Sequence, residues 1–396
     1  MYACTRTSVL LATLLMLTPG PLALAADCAD TSTGAIPIID LGAGQYLGQF
    51  AGGLYPGGLN VPPQAHFQAA RTAAQNIRPL SPAGLPNPAG KYVMLSIGMS
   101  NTTQEFCGGA TCRPWSFGGQ AATDVAVNHT WLEIVDGAAG GQAAPDWESP
   151  THANYVRINN LLQNRGLSEA QVQAAWVKLA NRNPTASLPD PSADAFVLLT
   201  QLGNISRTLR TRYPNLKIIY LSSRTYGGYA EGTLNPEPFA YESAFGVKWL
   251  IEAQIRQAAG QGIDPRAGDL DPTTVAPMLV WGPYLWTDGT TPRSDGLTWD
   301  CVDVEADGVH PSPSGEEKVG DLLLDFMLTS PLAAPWFARP DPPLSGDLDG
   351  DEDVDLTDLS RLLSDFGCAS ACAADVDGDG DTDLSDLSQL LANFGR

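Results

Sequence analysis

Positive charge is scarce in this chain of 396 residues. Only 22 Lys and Arg residues stand against 44 Asp and Glu residues, which gives a net charge of −22. A protein that binds nucleic acid needs a basic surface, so this balance argues against a nucleic-acid partner. Residues 341–396 alone contain 15 acidic and two basic residues. This density of carboxylates indicates that the carboxyl end binds cations.

Long hydrophobic runs are also missing. A bilayer-spanning helix needs about 20 apolar residues, and the apolar run Val9–Leu17 is shorter than that. The run follows Arg6 and precedes Ala23-Leu24-Ala25, a pattern that is typical of a secretory signal with a small-residue cleavage site. The sequence therefore predicts a signal peptide at 1–25, a secreted mature protein and no membrane span.

Cysteine is sparse, and six cysteines follow the predicted signal peptide: Cys28, Cys107, Cys112, Cys301, Cys368 and Cys372. No pair lies near histidines at the spacing of a zinc site, so no zinc is predicted. An even number of cysteines in an exported protein favours disulfides. Cys107–Cys112 and Cys368–Cys372 are close enough in sequence to close small loops, which leaves Cys28–Cys301 by elimination.

The mature chain divides into four segments. Residues 26–90 are a Gly- and Pro-rich arm, with one predicted helix near 64–77, that is expected to pack on the following domain. Residues 91–337 alternate short apolar runs with stretches of helical periodicity. This alternation predicts an α/β domain, a parallel sheet with helices on both faces. A Pro-rich linker (338–346) and a C-terminal unit (347–396) complete the chain.

The apolar runs of the α/β domain predict buried strands at 91–97, 131–135, 174–180, 216–222 and 277–281. The periodic stretches predict helices at 153–164, 194–212, 239–258 and 315–328.

The C-terminal unit is an internal repeat with a period of 28 residues. Asp347–Asp358 and Asp375–Asp386 each place Asp at alternate positions and end in Asp, and each leads into Leu-x-x-Leu-Leu-x-x-Phe. This spacing gives each following helix one apolar stripe. Neither helix can bury its stripe alone, so the two helices are expected to pack on each other.

Both acidic runs fit calcium. A twelve-residue calcium loop supplies oxygen ligands from positions 1, 3, 5, 7, 9 and 12, with position 7 contributing its backbone carbonyl. The predicted ligands of the first loop are Asp347, Asp349, Asp351, Asp353 and Asp358, with Asp355 at position 9. Those of the second loop are Asp375, Asp377, Asp379, Asp381 and Asp386, with Asp383 at position 9. Position 6 favours glycine, which Gly380 supplies and Glu352 does not, so the first loop is expected to bind more weakly.

The loop–helix units, the Asp at position 12 and the close tandem repeat resemble type I dockerins. This resemblance implies a small all-α domain that holds Ca²⁺ structurally, and a cohesin-like or cell-surface partner. Dockerins carry recognition residues at loop positions 10 and 11. Leu356-Thr357 and Leu384-Ser385 occupy these positions and fit the dockerin pattern only in part.

Asp307-Gly-Val-His310 is the strongest catalytic signal. A carboxylate three residues before a histidine can orient the imidazole, which then acts as a base toward a serine. The predicted first strand ends in Gly98-Met99-Ser100, which makes Ser100 the predicted nucleophile. Taken alone, the Asp-x-x-His fragment is also compatible with a metal-binding or surface loop.

These fragments resemble the first and last blocks of SGNH (GDSL-type) hydrolases, whose sheet is flavodoxin-like. The family usually has Asp at the position of Met99 and a Gly-x-Asn-Asp block that this chain lacks. The resemblance implies an oxyanion hole with Gly141 as one donor, Gly140 being the alternative. Asn181 is the second implied donor, ahead of Lys178.

The sequence thus predicts a secreted serine esterase that removes acetyl or other acyl groups from carbohydrate without a catalytic cofactor. Two alternatives remain open, a non-catalytic carbohydrate- or surface-binding protein on the same fold and a lipase or thioesterase. Polar and aromatic residues near strand ends could line a substrate cleft or belong to the core: Arg224, Tyr226, Glu237, Tyr241, Trp281, Tyr284, Trp286, Arg293 and Asp295.

Overall fold

The computed structural model describes Met1 and residues 26–340, 345–351 and 353–395. The predicted signal peptide and Glu352 therefore lie outside the described residues, as does part of the predicted linker. Among the helices that are described, none combines the length and the apolar character needed to cross a membrane.

The described strands are β1 (Gln45–Tyr46), β2 (Phe50–Ala51), β3 (Tyr92–Gly98), β4 (Leu132–Val135), β5 (Val172–Lys178), β6 (Ile218–Ser222) and β7 (Met278–Trp281). β1 and β2 form a small antiparallel pair. The other five form one parallel sheet in the order β4-β3-β5-β6-β7. This order, 2-1-3-4-5 along the domain, is that of flavodoxin-like doubly wound folds.

The described helices of the arm and the α/β domain are α1 (Ile38–Leu41), α2 (Gln64–Gln75), α3 (Ser100–Phe106), α4 (Phe117–Thr123), α5 (Ala153–Asn164), α6 (Asp194–Arg212), α7 (Phe239–Ala258), α8 (Pro313–Thr329) and α9 (Ala334–Phe337). Those of the C-terminal unit are α10 (Leu356–Asp365) and α11 (Leu384–Asn393). Short 3₁₀ turns span Pro56–Gly58, Ala144–Trp147, Glu169–Gln171 and Cys301–Asp303.

The central sheet is buried on both sides. Every residue of β3, β5, β6 and β7 is buried, as expected for apolar strands covered by helices on both faces. On one side α6 packs along α7, and on the other α8 contacts α3, α4 and α9. The predicted α/β architecture with a parallel sheet is confirmed, and the predicted strands lie within two residues of the observed ones.

Residues of the arm at 26–90 share the core of the α/β domain. Ile38, Tyr55, Ala70 and Ala74 are buried in the same apolar cluster as the strands. The buried ammonium of Lys248 on α7 donates to three arm carbonyls, the shortest contact being 2.7 Å. The arm is thereby fixed to the domain by both apolar and polar contacts.

All three predicted disulfides are present. Cys107–Cys112 and Cys368–Cys372 close short loops. Cys28–Cys301 joins residues 273 positions apart, so it links the start of the arm to the segment that precedes His310.

The C-terminal unit has a small core of its own. Val354, Leu362, Ala374 and Leu390 are buried together, and α10 contacts α11. The two helices thus pack on each other, as expected. Each stripe is buried only in part, because two ten-residue helices enclose little volume, and four members stay exposed: Leu363, Phe366, Leu391 and Phe394.

Candidate functional site

Ser100 directly follows β3 and is the first residue of α3, at the carboxyl edge of the sheet. Its Oγ lies 2.8 Å from Nε2 of His310, although 210 positions separate the two residues. The turn requires Gly98, because a Cβ there would overlap Thr102 Oγ1 and the carbonyl oxygen of Lys178. Thr102 Oγ1 donates to that carbonyl at 2.7 Å, which holds the start of α3 against the end of β5.

Asp307 holds the other side of the His310 ring. Asp307 Oδ2 lies 2.5 Å from Nδ1 of His310, and Oδ1 accepts the backbone N–H groups of Val309 and His310 at 2.9 and 3.0 Å. Burial opposes ionisation of Asp307, but the hydrogen bonds from His310 and Val309 outweigh it and keep the pKa of Asp307 below its ordinary value. Asp307 is therefore ionised at neutral pH and orients the imidazole so that Nε2 faces Ser100.

Asn101 connects the Ser100 and His310 segments. Its buried Nδ2 donates to the carbonyl oxygen of Val309 at 2.7 Å, so the serine turn and the histidine loop are tied together. The sequence analysis did not identify Asn101. No local pattern marks it, because its partner lies 208 positions away.

A cavity of about 570 Å³ opens beside Ser100 and His310. The three residues predicted for the oxyanion hole, Gly140, Gly141 and Asn181, all line it. A Cβ added to Gly140 would lie 3.9 Å from Cβ of Ser100, whereas one added to Gly141 would meet nothing within 4 Å. Of the two glycines, Gly140 therefore makes the closer approach to Ser100.

Asn181 is buried at the cavity wall. Its Nδ2 makes one long hydrogen bond of 3.5 Å to Oε1 of Gln201, so the amide has donor capacity left over. The alternative donor, Lys178, is committed elsewhere, because its Nζ lies 2.5 Å from both carboxylate oxygens of Glu105. Burial lowers the pKa of Lys178 to about 8 and raises the pKa of Glu105. This buried ion pair joins α3 to the end of β5.

The polar and aromatic residues noted near strand ends differ in their positions relative to the cavity that contains Ser100. Arg224 lines the cavity that contains Ser100. The rings of Tyr241 and Trp286 lie edge to face with centroids 4.6 Å apart. Arg293 forms an ion pair with Asp295 at 2.7 Å. Arg224 is thus the member of this set placed to meet a substrate, and Asn235, which sequence reasoning missed, lines the same wall.

The acidic loops gather carboxylates from short stretches of chain. In each group, one oxygen per residue lies within 4.8 Å of the others. The first loop forms the groups Asp347, Asp349, Asp351, Asp358 and Asp353, Asp355, Asp358. The second forms Asp375, Asp377, Asp386 and Asp381, Asp383, Asp386. Of the predicted calcium ligands in the described part of this unit, Asp379 is the one that belongs to none of these groups.

The aspartate at position 12 organises each loop. In the first loop, Asp358 Oδ1 accepts the N–H groups of Leu348 and Asp349, and Oδ2 accepts that of Asp355. Burial opposes ionisation of Asp358, yet these backbone bonds keep its pKa below the ordinary value. Asp386 repeats the arrangement in the second loop. The repeat seen in the sequence is therefore also a repeat of backbone geometry.

Two carboxylate oxygens in the loops have no hydrogen-bond donor among the described residues. Oδ1 of Asp349 and Oδ1 of Asp381 are buried and accept no hydrogen bond from the described residues. The neighbouring carboxylate of Asp379 is the main cause that raises the pKa of Asp381, and burial is the second. The pKa of Asp349 is raised mainly by burial and then by Asp351. Gly380 has the positive φ of 104° expected at position 6. Oxygens in this situation suit a hard cation.

No protein-family model matches the chain, and no curated protein matches it. Solved structures with a similar fold include a carbohydrate esterase family 2 enzyme with its carbohydrate binding domain, from Corynascus thermopiles (Myceliophthora fergusii). It is 14% identical with a TM-score of 0.34, over 63% of this chain and 68% of that one. An acetyl xylan esterase is also 14% identical, with a TM-score of 0.32, over 58% and 96%. The esterase EstA from Pseudoalteromonas sp. is 11% identical, with a TM-score of 0.31, over 60% and 96%.

Proposed function

We propose that the chain is a secreted serine ester hydrolase that removes acetyl or other acyl groups from carbohydrate. The observation that carries this proposal is the hydrogen-bonded series from Ser100 Oγ through the His310 imidazole to the Asp307 carboxylate, beside an open cavity. A serine hydrolase uses these groups in this order to activate its nucleophile.

In the proposed reaction, Ser100 Oγ attacks the ester carbonyl carbon while His310 Nε2 takes the hydroxyl proton. The bond from the carbonyl carbon to the alcohol oxygen then breaks, and His310 returns the proton to that oxygen, which leaves as the alcohol. Water attacks the acyl-serine carbonyl with His310 again as the base. The acid leaves, and the proton returns to Ser100. Asp307 holds the imidazole in place and stabilises its charged form throughout.

The oxyanion formed in both steps needs donors aimed at it. We assign this role to backbone N–H groups near Ser100 and Gly141 and to the side-chain amide of Asn181. The support is that Gly140, Gly141 and Asn181 border one cavity with Ser100. The remaining donor capacity of the Asn181 amide is further support.

A polar substrate is favoured over a long acyl chain. Four asparagines and two arginines border the cavity: Asn101, Asn181, Asn183, Asn235, Arg182 and Arg224. A lipase buries an alkyl chain against apolar surface, whereas sugar hydroxyls need hydrogen-bonding partners of this kind. These amide and guanidinium groups support carbohydrate as the alcohol.

The C-terminal unit is proposed to be a dockerin-like module that holds Ca²⁺ structurally. The clustered oxygens of both loops and the donor-free oxygens of Asp349 and Asp381 support this proposal. When bound, calcium would neutralise the carboxylates and fix the loops. A cohesin-like or cell-surface partner is proposed because Leu356 and Leu384, at loop position 10, are both highly exposed. The three disulfides support secretion into an oxidising environment.

Hydrolysis of p-nitrophenyl acetate tests the esterase proposal directly. We expect wild type to release p-nitrophenol and Ser100→Ala to be slower by more than about 10⁴-fold in kcat, because the nucleophile is lost. Ser192→Ala, at an exposed serine outside the cavity lining, is the matched control and should keep the wild-type rate.

Equal rates for wild type and Ser100→Ala would remove Ser100 as nucleophile, and no release of p-nitrophenol by either protein would favour the non-catalytic binding protein. Acetylated xylan or pectin compared with long-chain esters then separates the carbohydrate esterase from a lipase or thioesterase. Faster turnover of long acyl chains would contradict the carbohydrate assignment.

A further inference from the structure

A buried guanidinium borders the cavity of Ser100 and His310. Arg224 lies two residues beyond the end of β6, and its side chain is 2% exposed. Because the strands are parallel, their carboxyl ends meet at one edge of the sheet. This topology brings Arg224 to the wall of the same cavity as Ser100, which follows β3.

Arg224 has unused donors. Its Nε and Nη1 are buried and make no hydrogen bond with any residue in the described ranges. A buried polar group normally has a partner, and a buried charge left without one is especially unfavourable. Burial lowers the pKa of Arg224, and Glu105, Glu237 and Asp307 act in the opposite direction. Within the described ranges, this desolvated cation at the cavity forms no direct ion pair.

The carboxylates near Arg224 are engaged by other groups. Both oxygens of Glu105 lie 2.5 Å from Nζ of Lys178. Glu237 Oε1 accepts the indole N–H of Trp286 at 2.7 Å, and both of its oxygens also accept backbone N–H groups. These carboxylates stabilise the fold, so neither one occupies the free donors of Arg224.

Asp307, the third carboxylate, bonds to His310. The residues that line the cavity include no Asp or Glu, although the chain as a whole has a net charge of −22. The second cation on the lining, Arg182, forms a surface ion pair with Asp146. Arg224 is therefore the lining cation that is left to attract an anion.

Asn235 adds a complementary acceptor on the same wall. Its Nδ2 donates to the carbonyl oxygen of Asn181 at 2.9 Å, which leaves Oδ1 facing away from that bond. This Oδ1 is buried and accepts no hydrogen bond from the described residues. A wall with free guanidinium donors and a free amide acceptor matches a molecule that carries both a carboxylate and hydroxyl groups.

We propose that Arg224 binds a carboxylate of the ester substrate and thereby selects acidic esters. The planar guanidinium pairs Nη2–H with either Nε–H or Nη1–H, and each such pair of parallel donors matches the two oxygens of a carboxylate. The carboxylate could belong to the alcohol, as in an acylated uronic acid, or to the acyl group, as in a half-ester of a dicarboxylic acid. This inference rests on the proposed esterase function.

Matched substrate pairs test the inference. The alcohol arm compares acetylated methyl galacturonoside with acetylated methyl galactoside, and the acyl arm compares 4-nitrophenyl hemisuccinate with 4-nitrophenyl butyrate. We expect wild type to favour the charged member of one pair by at least about tenfold in kcat/KM, because a bidentate charged contact is worth this much. Arg224→Gln should abolish that preference, and Arg224→Lys should retain part of it. Arg71→Gln, at an exposed position on α2 outside the cavity lining, is the control and should leave it intact.

A merely structural role gives a different result. If Arg224 only stabilises the fold, Arg224→Gln lowers kcat/KM equally for both members of each pair, and that outcome would overturn the inference. A wild-type enzyme without any charge preference would overturn it as well, even if Arg224→Gln proves unable to fold.

Calorimetric binding to Ser100→Ala separates this inference from the esterase proposal. The probes are galacturonate against galactose, and succinate against butyramide. We expect the charged probe of one pair to bind at least about tenfold more tightly, and Arg224→Gln in the same background to remove the difference. Charge-selective binding without hydrolysis by wild type would overturn the esterase proposal alone. Hydrolysis of neutral esters without charge selectivity in either assay would overturn the role of Arg224 alone.

Discussion

The cavity at Ser100 and the C-terminal loops assemble their polar groups over very different lengths of chain. Ser100 and His310 are 210 positions apart, and Asn181 and Arg224 reach the same cavity from the ends of two further strands. Each acidic loop instead gathers its carboxylates from twelve consecutive residues. The first site depends on sheet topology, and the second depends on local backbone geometry.

This difference predicts how the two regions respond to change. The groups around Ser100 keep their geometry only while β3, β5 and β6 stay in register, so a substitution there can disturb both stability and chemistry. The acidic loops belong to a unit with its own small core of Val354, Leu362, Ala374 and Leu390. Changes in that unit should leave the ester chemistry untouched, and the following experiments examine this separation.

The largest effect is expected at Asp307. Asp307→Asn removes the charge that orients the His310 imidazole, and kcat should fall by about 10⁴-fold while the fold is retained. Steady-state kinetics with p-nitrophenyl acetate measure the loss. Asp325→Asn, at an exposed position on α8, is the matched control. Retention of more than about a tenth of the wild-type kcat in Asp307→Asn would show that His310 works without this carboxylate.

A smaller loss of kcat is expected when a proposed donor to the oxyanion is removed. Asn181→Ala deletes one proposed donor and should reduce kcat by about 10²–10³-fold, or about 2.7–4 kcal/mol, with little change in KM. Asn164→Ala, at the exposed end of α5, serves as the comparison. If Asn181→Ala loses less than about tenfold, the oxyanion must be held by backbone groups alone, and the cavity depends less on β5 than proposed.

The elements that follow from local patterns were predicted best from the sequence. The bounds predicted for α5, α6 and α7 coincide with the observed ones, because each helix has a periodic apolar face. Ser100, Asp307 and His310 could be identified because each lies in a short motif. Their catalytic role remains a prediction, although the structure places them within hydrogen-bond distance.

Other features have no local signal. Asn101 acts through a carbonyl 208 positions away, and Asn235 through a carbonyl 54 positions away. Such roles depend on which strand ends become neighbours, and composition or periodicity does not show this. The partial exposure of the α10 and α11 stripes has no local signal for a related reason. A stripe identifies which residues prefer burial, but the volume that the partner helix can cover decides which of them are buried.

Calcium should affect the two regions differently. With calcium at about 100 times its Kd, binding would stabilise the C-terminal unit by about 2.7 kcal/mol, and a chelator should remove this gain. Calorimetric titration and limited proteolysis of the full chain measure binding and protection. Asp377→Asn should weaken binding, and the rate of ester hydrolysis should stay within about twofold throughout. Absence of calcium heat would contradict the assignment, and a parallel loss of hydrolysis would contradict the independence of the two regions.

The smallest effect concerns the adjacent residues Leu362 and Leu363 on α10. Leu362 is fully buried, so Leu362→Ala should destabilise the C-terminal unit by about 2 kcal/mol, the low end for a buried leucine because the core is small. Leu363 is 55% exposed, so Leu363→Ala should change stability by less than about 0.5 kcal/mol. Thermal unfolding of the full chain in saturating calcium compares the two, with ester hydrolysis as the internal control. Equal destabilisation by both variants would mean that the whole stripe is buried in solution. In that case Leu363 would have to be covered by a contact that α10 and α11 do not make in this structure.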